Sequence, residues 1–182
     1  MKKSINIVAI LMLIIINWSC GSSETSETKF KPFKYYSDFQ LDLPEYMTEV
    51  DLQNADAQMQ YGDMLKEHYA LIIMENISDL VDLGFDFNID DYMGFALENV
   101  MNTISNSKSE RVHKTIQNET GIDYISYKIW GTLEEENIDV YYRLTIFKSD
   151  TRFYNLMTWC MADDERTYDP IMDKMIRSFE EL

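Results

Sequence analysis

Residues that break regular structure are scarce in this chain. Its 182 residues include three prolines and six glycines, which excludes a collagen-like chain and a low-complexity linker. Two cysteines are too few for a disulfide-stapled miniprotein. Basic residues are also few: 16 Lys and Arg stand against 32 Asp and Glu, a formal charge of −16. Such a surface repels phosphate, which argues against nucleic acid as a partner. The longest apolar run, Ile7 to Ile16, has ten residues, about half of the ~20 that a spanning helix needs. Against these shortages the chain is 46% hydrophobic and 13% aromatic, with twelve Tyr, nine Phe and twelve Met. That is enough apolar material for one globular domain.

Lys2 and Lys3 precede the apolar run, and together they read as the start of a secretory signal peptide. The run ends in Asn17-Trp18-Ser19-Cys20-Gly21. A small residue directly before a Cys, then Gly-Ser-Ser, resembles the lipobox of a bacterial lipoprotein. Asn17 and Trp18 depart from its commonest form, which opens on Leu. The resemblance implies that residues 1–19 are removed and that Cys20 carries acyl chains such as palmitate. Each buried methylene then contributes about 0.8 kcal/mol to membrane anchoring. Loss of residues 1–19 leaves 14 basic against 32 acidic residues, a formal charge of −18. Anionic headgroups repel such a body, so the lipid alone is expected to hold it. The expected location is the cell envelope, on the inner or outer membrane, facing the periplasm or the surface. Residues 20–29, lipidated Cys included, read as a flexible polar tether. Residues 30–182 read as a single α+β domain.

Within that domain Phe39 to Leu43 alternates apolar and polar, as a half-buried strand does, and Pro44 ends it. Gln58 to Tyr61 is a short strand, and His68 to Glu75 reads as a strand covered on both faces. Tyr92, Phe95, Ala96, Val100 and Ile104 form one apolar stripe of a helix over 90–105, capped at or near Asp90. Arg111 to Gln117, Asp123 to Leu133, Val140 to Phe147 and Arg152 to Cys160 read as strands, with a charged turn at 134–137. Asp169 and Pro170 read as the cap and first turn of a last helix. Its buried stripe is Ile171, Met172, Met175, Ile176 and Phe179. Short links between the strands imply an antiparallel sheet.

The two ends carry a family resemblance. Tyr35-Tyr36-Ser37-Asp38-Phe39-Gln40-Leu41-Asp42-Leu43-Pro44-Glu45-Tyr46 resembles the opening of PsbP-like domains: an aromatic, a turn, an alternating strand, then Leu-Pro and an aromatic. Ile176-Arg177-Ser178-Phe179 resembles their closing helix. Between these ends the agreement is in element order. The resemblance implies an α/β/α sandwich of PsbP-like type, an antiparallel sheet covered by helices. Relatives of that family include a photosystem II extrinsic subunit, a Ran-binding nucleotide-release factor and bacterial lipoproteins, and most act by binding another protein. None of their functional residues matches a motif here, so none is carried over.

Candidate chemistry is sparse. Asp86-Phe87-Asn88-Ile89-Asp90 has the opening spacing of a calcium loop, but Asp91 and Leu97 stand where such a loop needs Gly and Glu. A polar loop capping a helix is the plainer reading. His68 and His113, the only histidines, lie on separate expected strands without a metal-ligand neighbour. Cys160 reads as a buried small hydrophobe rather than a nucleophile. The acids at 134–136 and 163–165 read as solvated or as serving a helix dipole. No metal, cofactor or catalytic residue is therefore assigned, and the chain is expected not to be an enzyme. The aromatics Tyr124, Tyr127, Trp130, Tyr141, Tyr142, Tyr154 and Trp159 read mainly as core, with an exposed subset.

Three readings follow. A lipid-anchored, non-enzymatic domain that binds a protein or envelope assembly predicts an exposed aromatic patch with an acidic rim. A small-ligand or cation-binding lipoprotein predicts a concave pocket with convergent polar groups. A hydrolase predicts clustered titratable groups in a cleft. The first is favoured because no catalytic motif occurs.

Overall fold

A computed structural model describes residues 27–112 and 115–182. The strands are β1 (Phe30–Tyr35), β2 (Phe39–Pro44), β3 (Thr48–Glu49), β4 (Ala57–Asp63), β5 (His68–Asn76), β6 (Ser105–Arg111), β7 (Ile116–Gln117), β8 (Asp123–Leu133), β9 (Ile138–Lys148), β10 (Arg152–Met161) and β11 (Glu180–Glu181). The helices are α1 (Ile77–Asp82), α2 (Ile89–Met101) and α3 (Glu165–Arg177). The main sheet runs β3-β4-β5-β10-β9-β8-β6, with β7 also paired to β8, and every pairing is antiparallel. A small sheet, β1-β2-β11, stands apart.

Strand alternation divides the core in two. On β9, Val140, Tyr142, Leu144 and Ile146 pack with Tyr92, Met93 and Ala96 of α2. Phe147 turns to the opposite face, where Met175 and Ile176 of α3 meet the apolar side of β2. The result is the expected three-layer α+β sandwich, except that strands share one outer layer with α3. The two chain ends that carry the family resemblance meet there. Phe179 stacks on Phe147 at 4.1 Å and on Phe39 at 5.8 Å between ring centroids. Ser178 Oγ accepts from Asp42 N at 2.8 Å and donates to the Met175 carbonyl. The Ser-Phe ending is thus a latch between the last helix and the first hairpin.

Several elements differ from expectation. α2 stops at Met101; Ile104 reaches the same core from the following turn, Met93 is buried, and Phe95 is 50% exposed. The strand expected over 111–117 is instead two: β6, which ends at Arg111, and the two-residue β7 at Ile116–Gln117. β6 (SNSKSER) has no apolar residue and forms a sheet edge with an irregular register, a composition that discourages edge-to-edge pairing. β1 forms despite Pro32, which an edge strand tolerates. Lys29 of the expected tether is tied down, its carbonyl accepting from Glu45 N at 2.9 Å. Asp169 is not a helix cap. α3 begins at Glu165 and places Pro170 in its interior, because Asp169 is drawn against the sheet by charged partners described below.

Candidate functional site

α2 is aimed by its start. Asn88 accepts from the backbone N–H groups of Asp90 and Asp91, and the Asp91 carboxylate returns a bond to Asn88 N, a full capping box. The helix then lies over β8 and β9 and leaves part of β5, β10 and β4 uncovered on the same face. The uncovered part is a groove of about 770 Å³, within the roughly 300–1,000 Å³ range of ligand pockets. Phe95 and Asn99 of α2, with Thr103 just beyond its end, form one wall, and the loop Asn54–Asp56 the other.

Strand register gives the groove a polarity along its length. Asn155, Ile73 and Ala57 lie in one row across three strands. Beside that row stand Glu75 and Asp56, so amides and carboxylates collect at one end. The Glu75 carboxylate accepts from Tyr92 Oη, and Tyr92 stacks on Phe153 with centroids 4.3 Å apart. Burial, then the Glu75 hydrogen bond and charge, raise the Tyr92 hydroxyl far above its usual range. Asn155 Oδ1 is buried without a partner. Toward the other end the groove is lined by Leu71, Met157 and Tyr142, and Tyr69 and Trp159 continue the same strand face beyond it. Tyr69 stacks on Trp159 at 5.3 Å, with Tyr142 at 6.1 Å from the same indole. Gly62 permits this: a Cβ there would stand 2.4 Å from the Tyr69 ring.

The opposite face of the sheet carries a different device. Arg143, 3% exposed, donates from Nε to Ser126 Oγ at 3.2 Å and from Nη1 to Asp169 Oδ1 at 2.7 Å. Lys128 Nζ reaches Asp169 Oδ2 at 2.8 Å, and Tyr141 Oη donates to the same carboxylate. Trp130 Nε1 donates to Glu165 at 2.7 Å. Burial pushes the Asp169 carboxyl up, but the hydrogen bonds from Lys128, Tyr141 and Arg143 outweigh it and hold it low. Apart from the Arg143–Ser126 bond, which lies within the sheet, each of these bonds joins sheet to α3, so the cluster is a clamp.

The residues singled out in the sequence do not converge. His68 is fully buried on β5, with Nδ1 2.7 Å from Tyr46 Oη and Nε2 without a partner. Its ring lies 4.3 Å from that of Tyr168. Burial lowers its pKa to about 3, against a small opposing effect of Asp63. Cys160 is 1% exposed; burial, with nearby acids, pushes its thiol up to about 12. Within the candidate calcium loop, Asn88 is the helix cap and Asp90 pairs with Arg111 at 3.0 Å. Glu134 to Glu136 lie exposed in a turn. His113 and Cys20 fall outside the described residues. Of the strand aromatics, Tyr124, Tyr141, Tyr142 and Tyr154 are buried, while Tyr127, Trp130 and Trp159 are half-buried. The groove has no continuous motif in the sequence, because its lining comes from the loop before β4, from β4, β5, α2, β9 and β10. Its one local signal is Asn155, an amide on the same strand face as Met157 and Trp159.

No protein-family model and no curated protein matches the sequence. Solved structures do. Cyanobacterial PsbP (CyanoP) from Synechocystis sp. PCC 6803 is 16% identical, with 90% of this chain and 98% of that chain covered and a TM-score of 0.58. The Ran-binding protein Mog1p of Saccharomyces cerevisiae is 11% identical, with 84% and 95% covered and a TM-score of 0.56. LpqN of Mycobacterium tuberculosis, involved in cell envelope biogenesis, is 9% identical, with 85% and 91% covered and a TM-score of 0.55. At these identities the likeness is one of fold. An antiparallel sheet between α2 on one face and α3 with a small sheet on the other is therefore a PsbP-like α+β fold.

Proposed function

We propose that this chain is a lipid-anchored protein of the cell envelope whose PsbP-like domain is a non-enzymatic binding module. Cys20 carries the lipid, and the groove beside α2 receives a protein partner. The observation that carries this reading is the uncovered stretch of sheet itself. Leu71, Met157 and Tyr142 line an open groove beside the part of that face that α2 covers, and the Tyr69–Trp159 stack extends its aromatic surface. Aromatic and Met side chains held on rigid strands are the usual anchors of a binding surface. Apart from Tyr92, whose hydroxyl is tied to Glu75 at the groove, the titratable groups with large shifts are Tyr, His and Cys side chains away from it, which favours binding over catalysis. Two proteins of the same fold agree with it: one is Ran-binding and one is involved in cell envelope biogenesis.

The test is in-cell crosslinking and pull-down of the tagged full chain beside a Cys20→Ala variant, with metabolic labelling by a clickable palmitate analogue. Label on the wild type only, and one stoichiometric partner reduced in the variant, is the expected result. Equal labelling of the variant removes the anchor, and absence of any partner above background removes the binding reading.

A further inference from the structure

The groove beside α2 has chemistry specific enough to name what enters it. Its lining contains the carboxylates of Asp56 and Glu75 and no Lys, Arg or His. Among the described residues, no ion pair uses either acid. Glu75 is held toward α2 by the hydrogen bond from Tyr92 Oη. Gln58 lies beside them, its side-chain oxygen taken by Met74 N at 2.6 Å. Asn155 Oδ1, buried and without a partner, adds an acceptor that a hydrogen-bond donor would satisfy. One end of the groove is thus a cluster of acceptors and negative charge.

The other end is apolar and aromatic. Asn155 and Trp159 lie four residues apart on β10, as do Ile73 and Tyr69 on β5. Four strand residues span about 13 Å. β5 and β10, which carry most of the groove floor, are hydrogen-bonded to neighbours on both sides, so neither offers a free backbone edge to a further strand. An occupant is therefore read through its side chains.

Resting on the binding reading above, we propose that the groove takes a protein segment that presents a Lys or Arg about 10–13 Å from an apolar or aromatic side chain. The cation enters the Asp56–Glu75 end, and the apolar side chain covers Leu71, Met157 and Trp159. Charge complementarity selects this occupant. An acidic segment would set its carboxylates against Asp56 and Glu75 with no cation in the lining to offset them. A purely apolar one would bury those two charges unpaired.

The probes are three short peptides titrated into the labelled protein and followed by backbone amide NMR. They are acetyl-Lys-Ala-Leu-Phe-amide and its counterparts with Glu or norleucine in place of Lys. Phenethylamine serves as a fourth arm, to separate a peptide from a free organic amine. The expected result is saturable shifts at Glu75, Asn155 and Ala96 with the Lys peptide, affinity at least about tenfold weaker with the Glu and norleucine peptides, and weakening in high salt. The paired substitution Asp56→Asn with Glu75→Gln should lower Lys-peptide affinity by a similar factor. Gln at 75 still accepts from Tyr92, so an unchanged melting temperature shows that the fold survives. Equal binding of the Lys and norleucine peptides overturns the charge assignment while leaving a binding groove. Binding of phenethylamine but not of the Lys peptide overturns the protein segment in favour of a small amine. No binding by any probe overturns the proposal, and the in-cell pull-down then decides separately whether a partner docks elsewhere.

Discussion

His68 makes the stability of this protein depend on pH in a calculable way. Its imidazole is fully buried against Tyr46 and Tyr168, with pKa lowered to about 3, whereas in an unfolded chain it titrates near 6.5. Between those two values the unfolded chain binds a proton that the folded chain refuses. Stability therefore rises with pH through this window, is complete above about 6.5, and is lost progressively as pH falls toward 3. Each pH unit below 6.5 costs about 1.4 kcal/mol, so by pH 5 the loss is roughly 2 kcal/mol. His68→Gln isolates this contribution. The amide keeps a hydrogen bond to Tyr46 Oη and does not titrate, while the many carboxylates are common to both proteins and cancel. Urea unfolding of wild type and variant at pH 7.5 and pH 5 should show the wild type losing about 2 kcal/mol more than the variant. Equal losses in the two proteins would refute the reasoning, because they would mean that the ring accepts its proton in the folded state.

Three further outcomes follow from the packing. Arg143→Met leaves Asp169 with Lys128 and the Tyr141 hydroxyl, and should lower stability by about 2–3 kcal/mol in urea unfolding, with the loss concentrated in undocking of α3. Asn88→Ala removes the cap that aims α2, and should cost about 1 kcal/mol with earlier amide exchange in the first turn of that helix. The Cys160 thiol, buried and with its pKa pushed up to about 12, should resist a thiol-specific chromogenic reagent at pH 8 and react only as urea unfolds the chain; prompt reaction in the native protein would contradict its placement.

The sequence was informative wherever one face of a strand was apolar. Val140, Tyr142, Leu144 and Ile146 share the α2 side of β9 as their spacing predicts, and Met172, Met175 and Ile176 form the buried face of α3. It was silent where burial depends on distant partners. Asp169 reads locally as a cap before proline, yet Arg143 and Lys128, contributed by β9 and β8, hold it inside the helix. β6 has no apolar period because it is an edge. The groove joins residues from the loop before β4, from β5, from α2 and from β10. Only sheet register brings Asp56, Glu75 and Asn155 together, and no local pattern encodes register across a hundred residues. Cys20 and the motif around it, by contrast, are legible in sequence and lie outside the described residues.

The central claim, that the groove beside α2 is where a partner docks, is tested most directly by in-cell photocrosslinking from two positions. A benzoylphenylalanine replaces Phe95, which is 50% exposed on the groove wall, or Lys174, exposed on α3 across the sheet. The account predicts one discrete adduct from position 95, absent from position 174 and diminished by Asp56→Asn with Glu75→Gln. The same adduct from both positions, or one from position 174 alone, would contradict it.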